Sequence, residues 1–395
     1  MFDHFEPMAA DPILSVVTAY RADQRPEKMD LGIGIYRDES GATPIMAAVR
    51  EAEARLIESE TTKAYVSPIG DEVFNGKLVD QIFGQDHPER SRVRAIQTPG
   101  GSGALRMLAD LVRSARPEAK MWLSEPTWPN HKLIFGSAGF EMIDYPYFDP
   151  ATRSVSFGAM MEHLSQAAKG DVVLLHGCCH NPSGADLTQS QWEEIADLLV
   201  DRNLLPFIDI AYQGLGDGME EDAAGLRLLA ERVPEMLVAT SCSKNFGLYR
   251  DRAGAALLLA SSSKQADVTR QHLVRAVRGC YSMPPDHPGR IVITILQDEG
   301  LNRIWIDELD AMRARITSLR QKTAEALRQR SNSDRFDFLA EHRGLFSLTG
   351  LTPEQVARLA QDHAIYLIGD GRMNVASLRE SKVEVFAEAV MAVTT

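Results

Sequence analysis

Cysteine is scarce in this 395-residue sequence: Cys178, Cys179, Cys242 and Cys280 are the only four. None of them forms a CxxC pair of the zinc-knuckle or redox kind, so reduced thiols in an intracellular protein are expected rather than a disulfide scaffold. A chain of this length buries enough core to do without disulfides or structural metals. Long apolar runs are missing too, and none reaches the ~18 residues that a membrane span needs. The first residues, Met1 to Ala10, carry acidic side chains and no basic-then-apolar pattern, so no signal peptide is expected and the default location is cytoplasmic. Positive charge is in deficit: 42 Lys and Arg against 55 Asp and Glu give a formal net charge of −13. That balance argues against non-specific nucleic-acid binding and against an anionic membrane surface, but a local arginine still suffices to hold a small anion. Internal repeats and low-complexity linkers are absent. What remains is an ordinary globular composition, 44% hydrophobic and 25% charged, of a length that suggests about two or three domains.

Short apolar runs alternate with amphipathic stretches, the pattern of an α/β protein on a parallel sheet. Met121–Ser124, Val172–His176, Leu205–Ile210, Met236–Ser241 and Gly254–Leu259 read as buried strands. Gly103–Ala115 and Gln191–Asp201 read as helices, the second with Thr188 as its N-cap. Leu301–Arg328 is one long charged amphipathic stretch with Ile304, Ile306, Leu309, Met312 and Ile316 at apolar positions, which predicts a connecting helix. Beyond it, Phe336–Leu339 reads as a strand, Pro353–His363 as a helix and Ile365–Ile368 as a strand. These make a smaller α+β unit with a boundary near residue 312.

Lys244 comes just after the run Met236–Ser241. A lysine beyond the end of a buried strand lies at the carboxyl edge of a parallel sheet, where open α/β sheets bind ligands. Position alone favours a solvated surface lysine. Asp209 ends the run LPFID, where a carboxylate either serves a ligand or caps a helix. Pro99–Leu105 is a glycine-rich turn that opens a helix. Such a turn lets the backbone approach an anion, although most are only turns. Ser241, Ser243 and Arg252 offer hydroxyl and guanidinium donors suited to phosphate. His176 and His180 bracket Cys178 and Cys179, but adjacent cysteines present tetrahedral geometry poorly and no metal is expected.

Together these segments resemble the class I aspartate and aromatic aminotransferases. SKNFGLYRDR (Ser243–Arg252) is similar to that family's lysine segment. About eight motifs in one order, from LGIGIYRDESGATPI (Leu31–Ile45) to GRMNVASL (Gly371–Leu378), extend the likeness almost end to end, nearest to the bacterial aromatic-amino-acid enzymes. The resemblance implies an α/β, fold-type I transferase dependent on pyridoxal 5'-phosphate. It implies a large cofactor-binding domain over 44–312 with a mixed, mostly parallel sheet, a small α+β domain over 15–43 and 313–395, and an N-terminal arm over 1–14 that lies across a partner. Lys244 would be the Schiff-base lysine and proton carrier. Asp209 would face the pyridine nitrogen, with His131 behind it and His176 in the same network. Tyr212 and Asn181 would hydrogen-bond the cofactor's phenolic oxygen. Gly101, Ser102, Ser241 and Arg252 would hold the phosphate, joined by Tyr65 from a second copy, and Trp128 would stack on the ring.

For the substrate, the resemblance implies Arg372 on the α-carboxylate, assisted by the Gly34 backbone and Asn181. Arg278 from the second copy would meet a distal carboxylate, so a homodimer with shared sites is implied. The implied reaction is transamination of aromatic amino acids and/or aspartate with 2-oxoglutarate, giving the 2-oxo acid and glutamate. A dedicated aspartate aminotransferase is the alternative. The sequence departs from the family pattern at Cys280, two residues after Arg278, at His287–Arg290, and at Ser183 and Leu215. The first two bear on substrate preference and leave catalysis intact. A dinucleotide oxidoreductase is disfavoured because the glycine turn near residue 100 lacks the full fingerprint. A DNA-binding regulator on this fold is disfavoured because the likeness begins almost at residue 1. A lyase or decarboxylase is disfavoured by the paired arginines, Arg278 and Arg372.

Overall fold

The structure, a computed structural model, describes residues 1–7 and 12–394, the side chains of 12 and 13 excepted. Residues 8–11, part of the expected N-terminal arm, lie outside the described residues. The chain divides into two compact units. Pro44–Asn181 and Ala185–Ala314 form the larger, and Met1–Thr43, Pro182–Gly184 and Arg315–Thr395 the smaller.

The larger unit is built on one sheet. Its strands are Val93–Pro99 (β1), Met121–Glu125 (β2), Met142–Pro146 (β3), Val172–His176 (β4), Leu205–Ile210 (β5), Met236–Ser241 (β6) and Ala253–Leu259 (β7). They lie in the order β1-β7-β6-β5-β4-β2-β3. β7 runs antiparallel to both of its neighbours, and every other pair is parallel. β6 and β7 are buried at every position, as strands covered on both faces must be, which is why they read as unbroken apolar runs. The edge strands have mixed sequences: β1 carries Arg94, Gln97 and Thr98, and β3 is exposed at Met142 and Asp144 and buried only at Tyr145.

The helix Gly100–Ala115 leaves β1 directly and packs across β6 and β7. It buries Ala104, Leu105, Leu108, Leu111 and Val112 at helical spacing. Leu105, Leu108, Phe135, Phe207 and Leu258 belong to one core cluster, and each such side chain contributes about 1.5–3 kcal/mol on burial. The helix Gln189–Arg202 begins as expected at Thr188, whose hydroxyl accepts from the Gln191 amide while the Gln191 side chain returns a bond to the Thr188 amide.

The smaller unit has two short ladders. Met29–Asp30 pairs in parallel with Ile365–Tyr366, and Phe346–Leu348 pairs antiparallel with Arg372–Asn374. Residues 336–339, expected to be a strand, are turn and helix, with Phe338–Glu341 helical. Phe336, Phe338 and Leu339 are all buried, but residues 336–339 pair with no strand among the described residues. Phe336, in the turn before the helix, joins Phe338 and Leu339 in the core of this unit. The long helix is Glu299–Ser331, and its residues pass from the larger unit to the smaller at Arg315.

Candidate active site

The parallel register places His176 opposite Asp209 at the carboxyl ends of β4 and β5. A chain of hydrogen bonds joins them. Asp209 Oδ2 lies 3.0 Å from His131 Nε2, and His131 Nδ1 lies 2.8 Å from Thr127 Oγ1. Thr127 Oγ1 is 3.2 Å from His176 Nε2, while His176 Nδ1 accepts from the Asn181 amide at 3.2 Å. That last bond fixes the tautomers. His176 Nδ1 accepts, so its Nε2 carries the proton and donates to Thr127. Thr127 then donates to His131, and His131 donates to Asp209. Burial, reinforced by the nearby His131, pulls His176 down to about 3, which keeps it neutral. Burial alone pushes Asp209 up, but the His131 hydrogen bond and the favourable electrostatics of His131, His176 and Lys244 outweigh it and hold the carboxyl below its ordinary value.

Lys244 sits in the turn after β6, with its Nζ 4.5 Å from the centre of the Tyr212 ring. Burial lowers its pKa to about 8; Asp209 opposes this shift and Arg252 adds to it. An amine that gives up its proton near neutrality is a usable nucleophile and base. Tyr212 accepts at its hydroxyl from Asn181 Nδ2 at 3.3 Å.

A cup of donors lies beside these groups. Gly100 has φ +68, and a Cβ there would lie 2.5 Å from Arg252 Nη2. One on Gly101 would lie 3.2 Å from Ser241 Cβ. Glycine at both positions lets the first turn of the helix approach the serines and the guanidinium. Arg252 donates to Tyr249 O at 2.9 Å and to Ser243 Oγ at 3.5 Å, and Ser241 Oγ accepts from the Ser243 amide at 3.1 Å. Both Arg252 partners are neutral, so its charge is available to an anion together with the free amides at Gly101 and Ser102. Trp128 stands just before the helix Pro129–Ser137, half-buried and edge-on to His131 with ring centres 5.3 Å apart.

Two expected residues stand apart from this group. Tyr65 is 94% exposed. Arg278 is exposed at the end of the helix Ser263–Cys280 and donates to Ser282 Oγ at 2.9 Å. In the smaller unit, Arg372 is buried, donates to Gly32 O at 3.2 Å and lies with its guanidinium carbon 4.6 Å from the Phe346 ring centre. Gly34 packs on the same ring, since a Cβ there would lie 2.9 Å from Phe346 Cζ.

The family model of aminotransferase classes I and II matches residues 26–390. The chain belongs to this family. A tyrosine aminotransferase of Rhizobium meliloti is 49% identical to it, with 97% of each chain covered. The aspartate aminotransferase of Escherichia coli (strain K12) is 43% identical across the whole of both chains. Among solved structures, an aromatic-amino-acid aminotransferase from Burkholderia pseudomallei, covalently bound to pyridoxal phosphate, matches over both full chains with TM-score 0.98 at 39% identity. The α/β fold expected for such an aminotransferase, a mixed and mostly parallel sheet with a smaller α+β unit, is the fold found.

Sequence reasoning missed two residues that position the site of this aminotransferase. Thr127 links the two histidines, and only its place beside Trp128 hints at a role. Asp186 accepts from the Cys179 and His180 amides at 2.7 and 2.8 Å. It thereby holds the loop on which Cys179 adopts φ +53 and Asn181 is presented. Burial raises Asp186 to about 6, against the pull of those two amides. His176 and His180 are both engaged by neighbouring side chains or backbone. His180 bonds Ser124 Oγ at 3.1 Å, and its ring stacks between Tyr147 and His176 at 4.0 and 4.1 Å.

Proposed function

We propose that this aminotransferase transfers the amino group of aromatic amino acids, and of aspartate, to 2-oxoglutarate in a ping-pong reaction dependent on pyridoxal 5'-phosphate. The products are the 2-oxo acid and glutamate. The observation that carries the reading is Lys244, a half-buried amine of lowered basicity, beside a half-buried carboxylate that the His131 relay keeps ionised.

The donor set fits that cofactor. Asp209 is an ionised carboxylate able to accept from a ring N–H. The glycine cup with Arg252 and Ser241 would be filled by any Cβ at Gly100, yet it suits a phosphate. When bound, pyridoxal phosphate supplies an electron-poor ring that stabilises negative charge at the substrate α-carbon. Asp209, oriented by His131, holds a proton at the ring nitrogen. Tyr212 and Asn181 donate to the phenolic oxygen and favour its ionised form. Gly101, Ser102, Ser241 and Arg252 would hold its phosphate, and Trp128 would pack on its ring. Lys244 would hold the cofactor covalently, and its Nζ, once released, would take the proton from the substrate α-carbon.

Arg372 offers a planar fork to the substrate α-carboxylate, with the Gly34 backbone and Asn181 assisting. Arg278 and Tyr65 act in the neighbouring copy of a homodimer, and their exposure on the single chain supports this. Around this core the domains follow as 44–312 (large), 15–43 with 313–395 (small), and 1–14 as an arm. No helix among the described residues is long and apolar enough to cross a membrane. We place the enzyme in the cytoplasm, in keeping with its free cysteines.

Arg278 is tethered within its own chain by one serine hydroxyl, so it is free to swing aside for an aromatic side chain. That favours an aromatic enzyme that also takes aspartate over a dedicated aspartate aminotransferase. Specificity constants for phenylalanine, tyrosine and aspartate, with 2-oxoglutarate as acceptor, test the choice. Comparable or higher values for the aromatic substrates are expected. A preference for aspartate of several orders of magnitude would overturn it.

A further inference from the structure

The smaller unit contains a polar cavity of about 350 Å³ that shares no residue with the proposed site. Arg25, Lys28, Arg37 and Arg379 line it together with two carboxylates, Asp23 and Asp30, in a chain of net charge −13. Two of the cations are neutralised. Arg25 donates from Nε and Nη2 to Asp23 Oδ2 at 2.8 and 2.6 Å, and Arg37 Nη2 donates to Asp30 Oδ2 at 2.7 Å. Both carboxylates are also occupied from other directions. Asp23 accepts from the Tyr366 hydroxyl at 2.6 Å, and Asp30 accepts from the Gly32 and Ile33 amides at 3.1 and 3.3 Å.

The remaining two cations are not neutralised. Lys28 Nζ donates to neutral carbonyls, Tyr20 O at 2.9 Å and Asp23 O at 2.6 Å, and lies 4.5 Å from the Tyr20 ring centre. The half-buried Arg379 guanidinium makes no hydrogen bond or ion pair among the described residues. An ammonium and a guanidinium left uncompensated around a concave, polar space concentrate anions, and both donate best to charged oxygens.

We propose that this cavity binds a small multivalent oxyanion of the phosphate or phosphomonoester class, held by Lys28 and Arg379. The cavity wall is connected to the substrate side of the same unit. Asp30, in the wall, holds the Gly32 amide, and the Gly32 carbonyl accepts from Arg372 Nη2 at 3.2 Å. An anion that draws Arg37 from Asp30 loosens the loop against which Arg372 is set, and so raises KM for the amino acid while kcat holds. This coupling rests on the proposed role of Arg372; the binding itself does not.

The test uses the cofactor-loaded enzyme and isothermal titration calorimetry at constant ionic strength, with inorganic phosphate as one probe and glycerol 3-phosphate as the other. Saturable binding is expected, weakened about tenfold or more in Arg379→Ala, the loss of one charge-assisted hydrogen bond. Lys28→Gln should weaken it similarly. Because Lys28 also ties down carbonyls, Arg379→Ala is the decisive variant. Tighter binding of glycerol 3-phosphate points to a phosphomonoester as the natural ligand, and equal or weaker binding to free phosphate. No saturable heat from either probe, or unchanged affinity in both variants, overturns the site. Binding that leaves KM unchanged in the wild type overturns the coupling to Arg372.

Discussion

Gly100→Ala should strip this aminotransferase of much of its cofactor affinity while leaving Lys244 untouched. The change has two separable costs. Gly100 sits at φ +68, where an alanine is strained by about 1–2 kcal/mol. That strain is present with and without cofactor, so it lowers stability and not affinity. The second cost is steric. The new Cβ lies 2.5 Å from Arg252 Nη2 and 2.8 Å from Arg252 Cζ, so the guanidinium must shift. Its anchors are one carbonyl at 2.9 Å and one hydroxyl at 3.5 Å, weak enough to yield before the backbone does. A displaced guanidinium would forfeit the charge-assisted bond proposed to the phosphate, about 1.5–3 kcal/mol. The expected result is a cofactor Kd raised about tenfold to a hundredfold. Absorbance titration of the apo-enzyme measures it, and urea unfolding of the apo form measures the strain separately. Gly76→Ala is the control. It lies in the helix Glu72–Phe83, and a Cβ there meets nothing within 4 Å, so it should leave Kd unchanged and add about 0.5–1 kcal/mol of stability. Wild-type cofactor affinity in Gly100→Ala would refute the placement of Arg252 on the phosphate.

Three further outcomes follow from the same geometry. Gly34→Ala drives a methyl to within 2.9 Å of Phe346 Cζ and tilts the ring beneath Arg372. KM for the amino acid should rise about tenfold, the lower end of an overpacking cost, with kcat nearly unchanged; steady-state kinetics showing an unaltered KM would contradict it. In His131→Ala, burial of Asp209 is no longer opposed by the hydrogen bond, so its pKa rises and the acid limb of kcat/KM moves to higher pH; an unshifted limb would count against the relay. Lys244, lowered to about 8 in the cofactor-free chain, loses its proton earlier when folded than when unfolded. Stability therefore rises with pH between about 8 and the ordinary lysine value, and the buried charge is a full penalty below that window. Lys244→Met should stabilise the apo-enzyme at pH 7 by up to about 3 kcal/mol, with the gain shrinking as pH rises from about 8 and mostly lost by about pH 10. Urea unfolding at both pH values checks this, and a less stable variant at pH 7 would refute it.

The interior of the larger sheet was legible in the sequence because its strands are covered on both faces. The runs Val172–His176, Leu205–Ile210 and Met236–Ser241 were read to the residue. Val93–Pro99 and Met142–Pro146 were not read, because edge strands mix polar and apolar residues freely. Nothing in the run AGAALLL reveals that Ala253–Leu259 points against its neighbours; an apolar strand carries no sign of its direction. Residues 336–339 misled because three closely spaced buried side chains mimic a strand over so short a stretch. Of the candidate site, residue types and motifs pointed to Lys244, Asp209, His131 and Arg252, which the structure brings near one another. The sequence could not show the order of proton donation from Asn181 through His176 and Thr127 to His131, since that order depends on which nitrogen faces which partner. The Lys28–Arg379 cavity was equally invisible, because it depends on which cations have already been claimed by carboxylates.

The central claim is that Lys244 forms the covalent link to the cofactor and carries the proton. Borohydride reduction of the cofactor-loaded enzyme, followed by digestion and mass mapping, tests it most directly. The account predicts a reduced pyridoxyl phosphate on the peptide that contains Lys244. In Lys244→Ala the cofactor should still bind, but no label should be trapped and nearly all turnover should be lost. A label on any other lysine, or wild-type transamination by Lys244→Ala, would contradict it.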